Sequence, residues 1–202
     1  MHKSSYEKML WFKSNYLDSD ISLDILDIGS LDCSNNNYNY KSIFNEQKWT
    51  YDGLDFLDGN NVDILVKDIY NFPEVKDNSY DVVVSGQFFE HLGFFWLTMG
   101  EIDRILKPGG FCCIIVPSSG PKHGSKNMDF YRFYEDGMRS LANYVNFDIV
   151  HISVDTSDDS KPWCDACLIA KKKTRSDVLF NDLNNKTNLL KTKLDNLIES
   201  IR

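Results

Sequence analysis

Apolar runs that end in an acid or a glycine recur along this chain, and they set out its order of elements. The first, Ile25-Leu26-Asp27-Ile28-Gly29-Ser30, predicts a buried parallel strand ending in a tight turn at the carboxyl edge of a sheet. Trp49 to Asp55 predicts a second strand, followed by the polar loop Phe56 to Asn61. Val62 to Asp68 predicts a third. The β-branched run Ser79 to Ser85 reads as a central strand covered on both faces, and Phe111 to Pro117 as a fifth strand. Helical spacing alternates with these runs. Residues 5 to 17 place Tyr6, Met9, Leu10, Lys13 and Leu17 on or near one face, a second helix spans Tyr38 to Glu46, and a third spans Phe94 to Leu106. Lys107-Pro108-Gly109-Gly110 stops that third helix. A helix over Tyr134 to Tyr144 and strands over Phe147 to Val154 and Pro162 to Lys172 complete the body. Strand, turn, helix is the opening of a βαβ unit, so the expected class is α/β.

The tail has a different period. Phe180, Thr187, Leu194 and Ile201 fall seven apart, as do Leu183, Leu190 and Leu197, the a/d spacing of a helical seam. The expected division is a body over residues 1–173 and a C-terminal amphipathic helix over 174–202. Residues 178–202 offer a surface for a homo-oligomer or a helical partner, the alternative being a helix folded onto its own domain.

Composition narrows the function. With 202 residues, 42% of them hydrophobic, the chain can bury a sizeable core. A formal charge of -8 disfavours a phosphate-binding surface and hence nucleic acid, leaving a small or neutral substrate. No apolar window has the length of a membrane span and the N-terminus lacks a signal-peptide core, so the expected location is the cytoplasm. The five cysteines are an odd number among apolar, strand-like residues and read as reduced thiols. Cys164 and Cys167 form a lone C-x-x-C in a strand-like setting, where residues three apart face opposite ways. Neither this pair nor any His/Asp/Glu cluster has metal-ligand spacing, so no metal is expected.

Candidate chemistry gathers at the strand ends, where open α/β sheets bind ligands. Gly29 can bring bare backbone up to a ligand, and Asp27 can accept from an ammonium or a hydroxyl. Asp55 stands where such folds place a carboxylate for ribose hydroxyls. Asp68 or its backbone can meet an adenine edge while Ile69 covers the ring. His91 is a general base or a structural histidine. The motif G-x-G-x-x-G is absent, which sets aside a nicotinamide dehydrogenase.

Taken together, Ile25 to Gly29, Gly53-Leu54-Asp55, Asp68, Asp81 to Ser85 followed by Glu90-His91-Leu92, and Arg104 to Gly110 before an apolar strand resemble class I S-adenosylmethionine-dependent methyltransferases. The nearest likeness is to methyltransferase type 11 domains, over about residues 22 to 172. The resemblance implies a Rossmann-like, seven-stranded, mostly parallel sheet with helices on both faces, and S-adenosyl-L-methionine as cofactor. It implies that Asp27 and Gly29 face the methionine part, Asp55 the ribose, and Asp68 with Ile69 the adenine, with Ser30, Phe56 and Ser85 completing the cofactor set. The turn Gly29-Ser30-Leu31-Asp32 and the stretch His123 to Phe133 are similar to members linked to glycan biosynthesis. This implies a small-molecule or glycan acceptor methylated at a sugar hydroxyl, with His123 or His91 as base and Glu90, Asp129, Tyr131 and Arg132 shaping the substrate pocket. Arg132 has the alternative of pinning its loop to a carboxylate. Leu31 stands where the family carries its second glycine and motivates a second reading, a catalytically silent methyltransferase-like module for binding or oligomerisation.

Overall fold

A computed structural model of the chain describes residues 3–32, 38–123 and 128–201. In chain order it contains α1 (Lys3–Tyr16), β1 (Leu23–Ile28), β2 (Trp49–Asp55), β3 (Ile64–Leu65), β4 (Tyr80–Gly86), α2 (Phe95–Ile105), β5 (Leu106–Val116), α3 (Glu135–Tyr144), β6 (Asp148–Val154), β7 (Ala166–Lys171) and α4 (Arg175–Ile201). The seven strands form one sheet in the order β3-β2-β1-β4-β5-β7-β6. Pairing is parallel from β3 through β5, while β7 runs antiparallel to both β5 and β6. The chain winds outward from β1 to β3 and then returns to β4 on the other side of β1. That reversal opens a crevice at the carboxyl ends of β1 and β4.

The two-residue period of the strands sorts their side chains into two cores. Leu26, Ile28, Leu54 and Val83 join Met99 and Ile102 of α2 and Met138 and Leu141 of α3 on one face. Ile25, Val82, Val84 and Ile115 join Met9 and Phe12 of α1 on the other. Helices therefore cover both faces, as the resemblance implies. The stretch Arg104 to Gly110 serves this frame: Arg104 donates to the carbonyls of Phe72 and Val75, and the Lys107 ammonium lies 2.9 Å from Asp24 and 2.8 Å from Asp81, tying β5 to β1 and β4.

Several elements depart from the pattern. The buried face of α1 is Ser5, Met9 and Phe12, while Leu10 is exposed. Ser5 belongs inside because its hydroxyl shares a 2.8 Å hydrogen bond with the buried Tyr40 hydroxyl. The helix expected over Tyr38 to Glu46 is a single 3-10 turn, Tyr40–Ser42, capped by Asn39. The third strand shrinks to Ile64–Leu65, since it lies at the sheet edge and has only β2 to pair with. The last strand begins at Ala166. Cys164 lies before it with a φ of 50°, and Cys167 is buried within it. The four described cysteines are free thiols, and Cys33 lies outside the described residues.

By contacts the chain divides into Met1–Lys172 and Lys173–Arg202. The second unit is α4, opened by a reciprocal cap in which Thr174 N–H donates to Asp177 (2.8 Å) and Asp177 N–H donates to the Thr174 hydroxyl (3.2 Å). Its Phe180, Leu183, Leu190 and Leu194 side chains are exposed. The side chains of Leu197 and Ile201, which continue the heptad, lie outside those described. No helix among the described residues is long and apolar enough to cross a membrane.

Candidate functional site

The carboxyl ends of β1, β2 and β4 surround a cavity of about 440 Å³, within the range of roughly 300–1,000 Å³ that small-molecule sites occupy. Asp27, Gly29, Ser30, Leu31, Asp55 and Phe56 line one side, and Phe88, His91, His123 and Met128 line the other.

The first side is built by a turn. Gly29 has a φ of +81°, and a Cβ there would fall 2.1 Å from the Phe88 ring, so only glycine permits both the turn and that packing. The amides of Gly29 and Ser30 both donate to the Leu54 carbonyl. Ser30 Oγ donates to the Asn61 carbonyl at 2.7 Å, and Asn61 Nδ2 returns a bond to the Ser30 carbonyl at 3.0 Å. The β1 turn is thereby tied to the loop after β2. Leu31 N–H donates to one Asp55 oxygen (3.2 Å) and Leu57 N–H to the other (3.0 Å), which fixes the carboxylate at the cavity wall. Leu31, in the place of the family's glycine, leans its side chain over Gly59, where a Cβ would fall 2.5 Å from Leu31 Cδ1. A glycine elsewhere makes the room, and the Leu31 amide still serves Asp55.

Asp27 is buried and accepts from the Tyr51 hydroxyl at 2.6 Å, which in turn accepts from Asn61 Nδ2 at 3.1 Å. Burial raises its pKa to about 7, against the Tyr51 hydrogen bond, and the nearby Asp55 charge adds to the rise. Burial also lifts Asp55, with the Leu57 and Leu31 amides opposing. Two desolvated carboxyls, each raised chiefly by burial, suit a positively charged ligand.

On the other side, a 3-10 turn after β4 carries Glu90 and His91, and the loop after β5 carries His123. His91 Nδ1 lies 2.5 Å from the Met128 carbonyl. A carbonyl only accepts, so Nδ1 holds the hydrogen, which in the neutral ring leaves the lone pair on Nε2. His91 Nε2 is 3.6 Å and His123 Nε2 3.9 Å from the same oxygen, Glu90 Oε1. The two rings stand 5.0 Å apart at 67°. Glu90 is fully buried, and among the described residues neither of its carboxylate oxygens has a hydrogen-bond partner. Burial pushes its pKa up to about 8.

Arg132 grips Asp129 through both guanidinium nitrogens (2.6 and 2.9 Å) and donates to the Pro121 carbonyl (2.7 Å). Asp129 also accepts the His123 amide (2.6 Å), and the Arg132 hydrogen bonds hold it well below the usual carboxylate range. The Trp163 ring lies 4.4 Å from that of His123.

Of the residues expected at the site, Asp27, Gly29, Ser30, Asp55, Phe56, His91 and His123 line the cavity, with Glu90 buried beside the two histidines. Others have different work. Ser85 is buried and donates to the Ile28 carbonyl (2.7 Å), bracing β4 against β1. Asp68 is exposed and accepts from the Tyr70 amide (2.9 Å), while Ile69 packs into the core and its carbonyl accepts from Thr98. Tyr131 donates to the Gly93 carbonyl (3.0 Å) and packs on Phe95. Asp129 and Arg132 are spent on each other, so Arg132 takes its alternative role of pinning the loop. Tyr51, Asn61, Phe88 and Trp163 escaped the sequence reading. The alternation of β2 that places Asp55 was a usable signal for Tyr51. Glu90, His91 and His123 each offer a ligand atom within 4.8 Å of the others, a grouping that spacing along the chain does not single out.

Residues 13–114 match the family described as Methyltransferase domain. Among solved structures the chain is similar to one from the complex between the Haloferax volcanii Trm112 methyltransferase activator and its methyltransferase. There the TM-score is 0.64 at 16% identity over 86% of this chain and 90% of that one. It is also similar to Haemonchus contortus phosphoethanolamine N-methyltransferase 2, solved in complex with S-adenosyl-L-methionine. The TM-score is 0.61 at 14% identity over 83% of this chain and 52% of that one. The [4+2]-cyclase SpnF has the same fold (TM-score 0.63, 15% identity, 85% of this chain and 81% of that one). No curated protein sequence matches the chain.

Proposed function

The chain belongs to the methyltransferase domain family, of the class I S-adenosyl-L-methionine-dependent fold, and on that premise we propose that it methylates a hydroxyl of a small-molecule or glycan acceptor. The observation that carries this reading is one cavity with buried carboxyls on one wall and two histidines on the other. When bound, S-adenosyl-L-methionine would supply a methyl group on a cationic sulfur for transfer to the acceptor oxygen, and the proton that the hydroxyl loses would pass to His91, His123 or water. Asp55, oriented by two backbone amides, would accept from the ribose hydroxyls. Asp27 would take the ammonium, and Phe56 and Phe88, whose ring centroids are 6.3 Å apart, would supply apolar walls. His91 and His123 would face the acceptor. Holding two reactants aligned in a dry site is the main task here, since no covalent nucleophile is required.

The turn Gly29-Ser30-Leu31-Asp32 and the loop from His123 to Phe133 support the glycan assignment through their likeness to glycan-linked members. The fold itself does not select an acceptor, as a cyclase with the same fold illustrates. Leu31, the motive for a silent module, keeps its amide on Asp55, which favours the enzyme. Titration calorimetry with S-adenosyl-L-methionine, followed by methyl transfer to a panel of sugars and other hydroxyl compounds, tests the proposal. Absence of binding at millimolar cofactor would sink it. Free thiols support a reducing compartment, the cytoplasm. We further infer that the heptad of α4 pairs with a second helix, in a homo-oligomer or another chain. Leu183→Asp with Leu190→Asp should abolish any self-association seen by sedimentation and leave cofactor affinity within about twofold, both positions being exposed.

A further inference from the structure

We propose that Glu90, His91 and His123 form a binding site for a divalent first-row transition metal ion, opening into the cavity through the two histidines. Both Nε2 atoms converge on Glu90 Oε1, at 3.6 and 3.9 Å. All three ligand atoms lie within 4.8 Å of one another, and donors that share an ion at about 2.0–2.2 Å stand roughly 3–3.5 Å apart, so the side chains must draw together by about 1 Å to complete the set. The carboxylate is fully buried, and among the described residues neither of its oxygens has a hydrogen-bond partner. A carboxyl buried in that state either keeps a proton or meets a cation, and the two imidazoles at its oxygen supply the further ligands a cation would need.

The surroundings match those of metal-binding histidines, which donate their second ring N–H to a carbonyl or a carboxylate. His91 Nδ1 donates to the Met128 carbonyl. His123 Nδ1 lies 3.4 Å from Asp129 Oδ2. Arg132 Nη2 is 3.3 Å from the same nitrogen, and an ion on Nε2 selects the tautomer whose Nδ1–H turns to Asp129; Arg132 keeps its bonds to Asp129 and Pro121. Two imidazoles and one carboxylate suit Zn2+, Co2+, Mn2+ or Fe2+ rather than Mg2+ or Ca2+, which favour all-oxygen sets. Three protein ligands leave a position open toward the cavity. An ion held there favours acceptors that present an oxygen. That consequence rests on the methyltransferase reading, whereas metal binding does not.

The test uses the full chain, stripped with a chelator and titrated with Co2+ and then Zn2+, read by visible absorption and calorimetry. One equivalent of Co2+ should bind with nitrogen- and oxygen-ligand bands, and Zn2+ should displace it. His91→Ala, His123→Ala and the near-isosteric Glu90→Gln should each weaken binding by roughly 10–100-fold or more. S-adenosyl-L-methionine titration of the same samples shows that each variant is folded, and it also reads the methyltransferase proposal separately. Thiolate charge-transfer bands, binding unaltered in all three variants, or no binding at about 1 mM ion by a chain that still binds cofactor would overturn the proposal.

Discussion

The two walls of the cavity treat their buried carboxylates in opposite ways. On the β1–β2 wall Asp55 is met by the amides of Leu31 and Leu57, and Asp27 by the Tyr51 hydroxyl. On the histidine wall Glu90 is equally buried, and no side-chain donor among the described residues meets its carboxylate oxygens. Its neighbour Asp129 has several, from Arg132 and the His123 amide. The first wall is complete as it stands, oriented for a ligand that brings hydroxyls and positive charge. The second ties Asp129 to Arg132 and leaves a buried carboxyl that meets no donor among the described residues, the state expected of a site whose partner is not part of the chain. The difference separates a wall whose carboxyls are already held by donors from one whose carboxyl is not.

The largest effect should follow from Asp55→Ala. It removes the acceptor proposed for the ribose and strands two amides, and each hydrogen bond to a charged group contributes about 1.5–3 kcal/mol. Cofactor affinity measured by calorimetry should fall at least about 100-fold. An unchanged affinity would break the assignment of this wall to the cofactor.

Next comes Asp27, whose pKa is raised to about 7 from an ordinary 3.8, chiefly by burial. Between those values the folded chain keeps a proton that the unfolded chain has lost. Stability from this residue is therefore lost as pH rises through the window, and the cost is complete above about pH 7. Asp27→Asn lacks that slope, so relative to the natural chain it should gain roughly 2–4 kcal/mol between about pH 4 and pH 8 in urea unfolding. Pairing with the cofactor ammonium requires the ionised form, so binding at about pH 6 should release a proton that the Asn variant does not. Parallel stability curves would show that Asp27 is ionised throughout and that this wall is not short of positive charge.

The first wall was the more legible in the sequence because each of its parts follows a local rule. Apolar runs became strands through burial, acids closed them, and Gly29 marked the turn, so Asp27 and Asp55 fell where their strand ends placed them. The same rule failed for Asp68, because an edge strand paired on one side ended at Leu65, before reaching the cavity. Ser85 also sits at a strand end, but its hydroxyl found the Ile28 carbonyl of the neighbouring strand, a partner that only sheet order reveals. The second wall depends on such order throughout. His91 and His123 come from loops after different strands, and the adjacency of β4 and β5 brings them onto Glu90. Spacing along the chain carries no trace of that meeting.

A smaller effect tests the turn itself. Gly29→Ala places a methyl group against Phe88 at a positive φ, and should lower unfolding stability by about 2 kcal/mol and weaken cofactor binding in step. If stability falls while affinity holds, Phe88 supports the fold but not the ligand.

Arg132→Lys should have the smallest effect and the most selective one. Lysine keeps the charge but not the fork that holds both Asp129 oxygens, so about 1 kcal/mol is lost from the loop that carries His123. Amide exchange should quicken between Ser118 and Phe133, and metal binding at the histidine wall should weaken several-fold, while cofactor affinity stays within about twofold. That pattern requires the two walls to be energetically separate. If cofactor affinity falls together with metal binding, they form one unit, and the buried Glu90 carboxyl is part of how the cofactor is recognised.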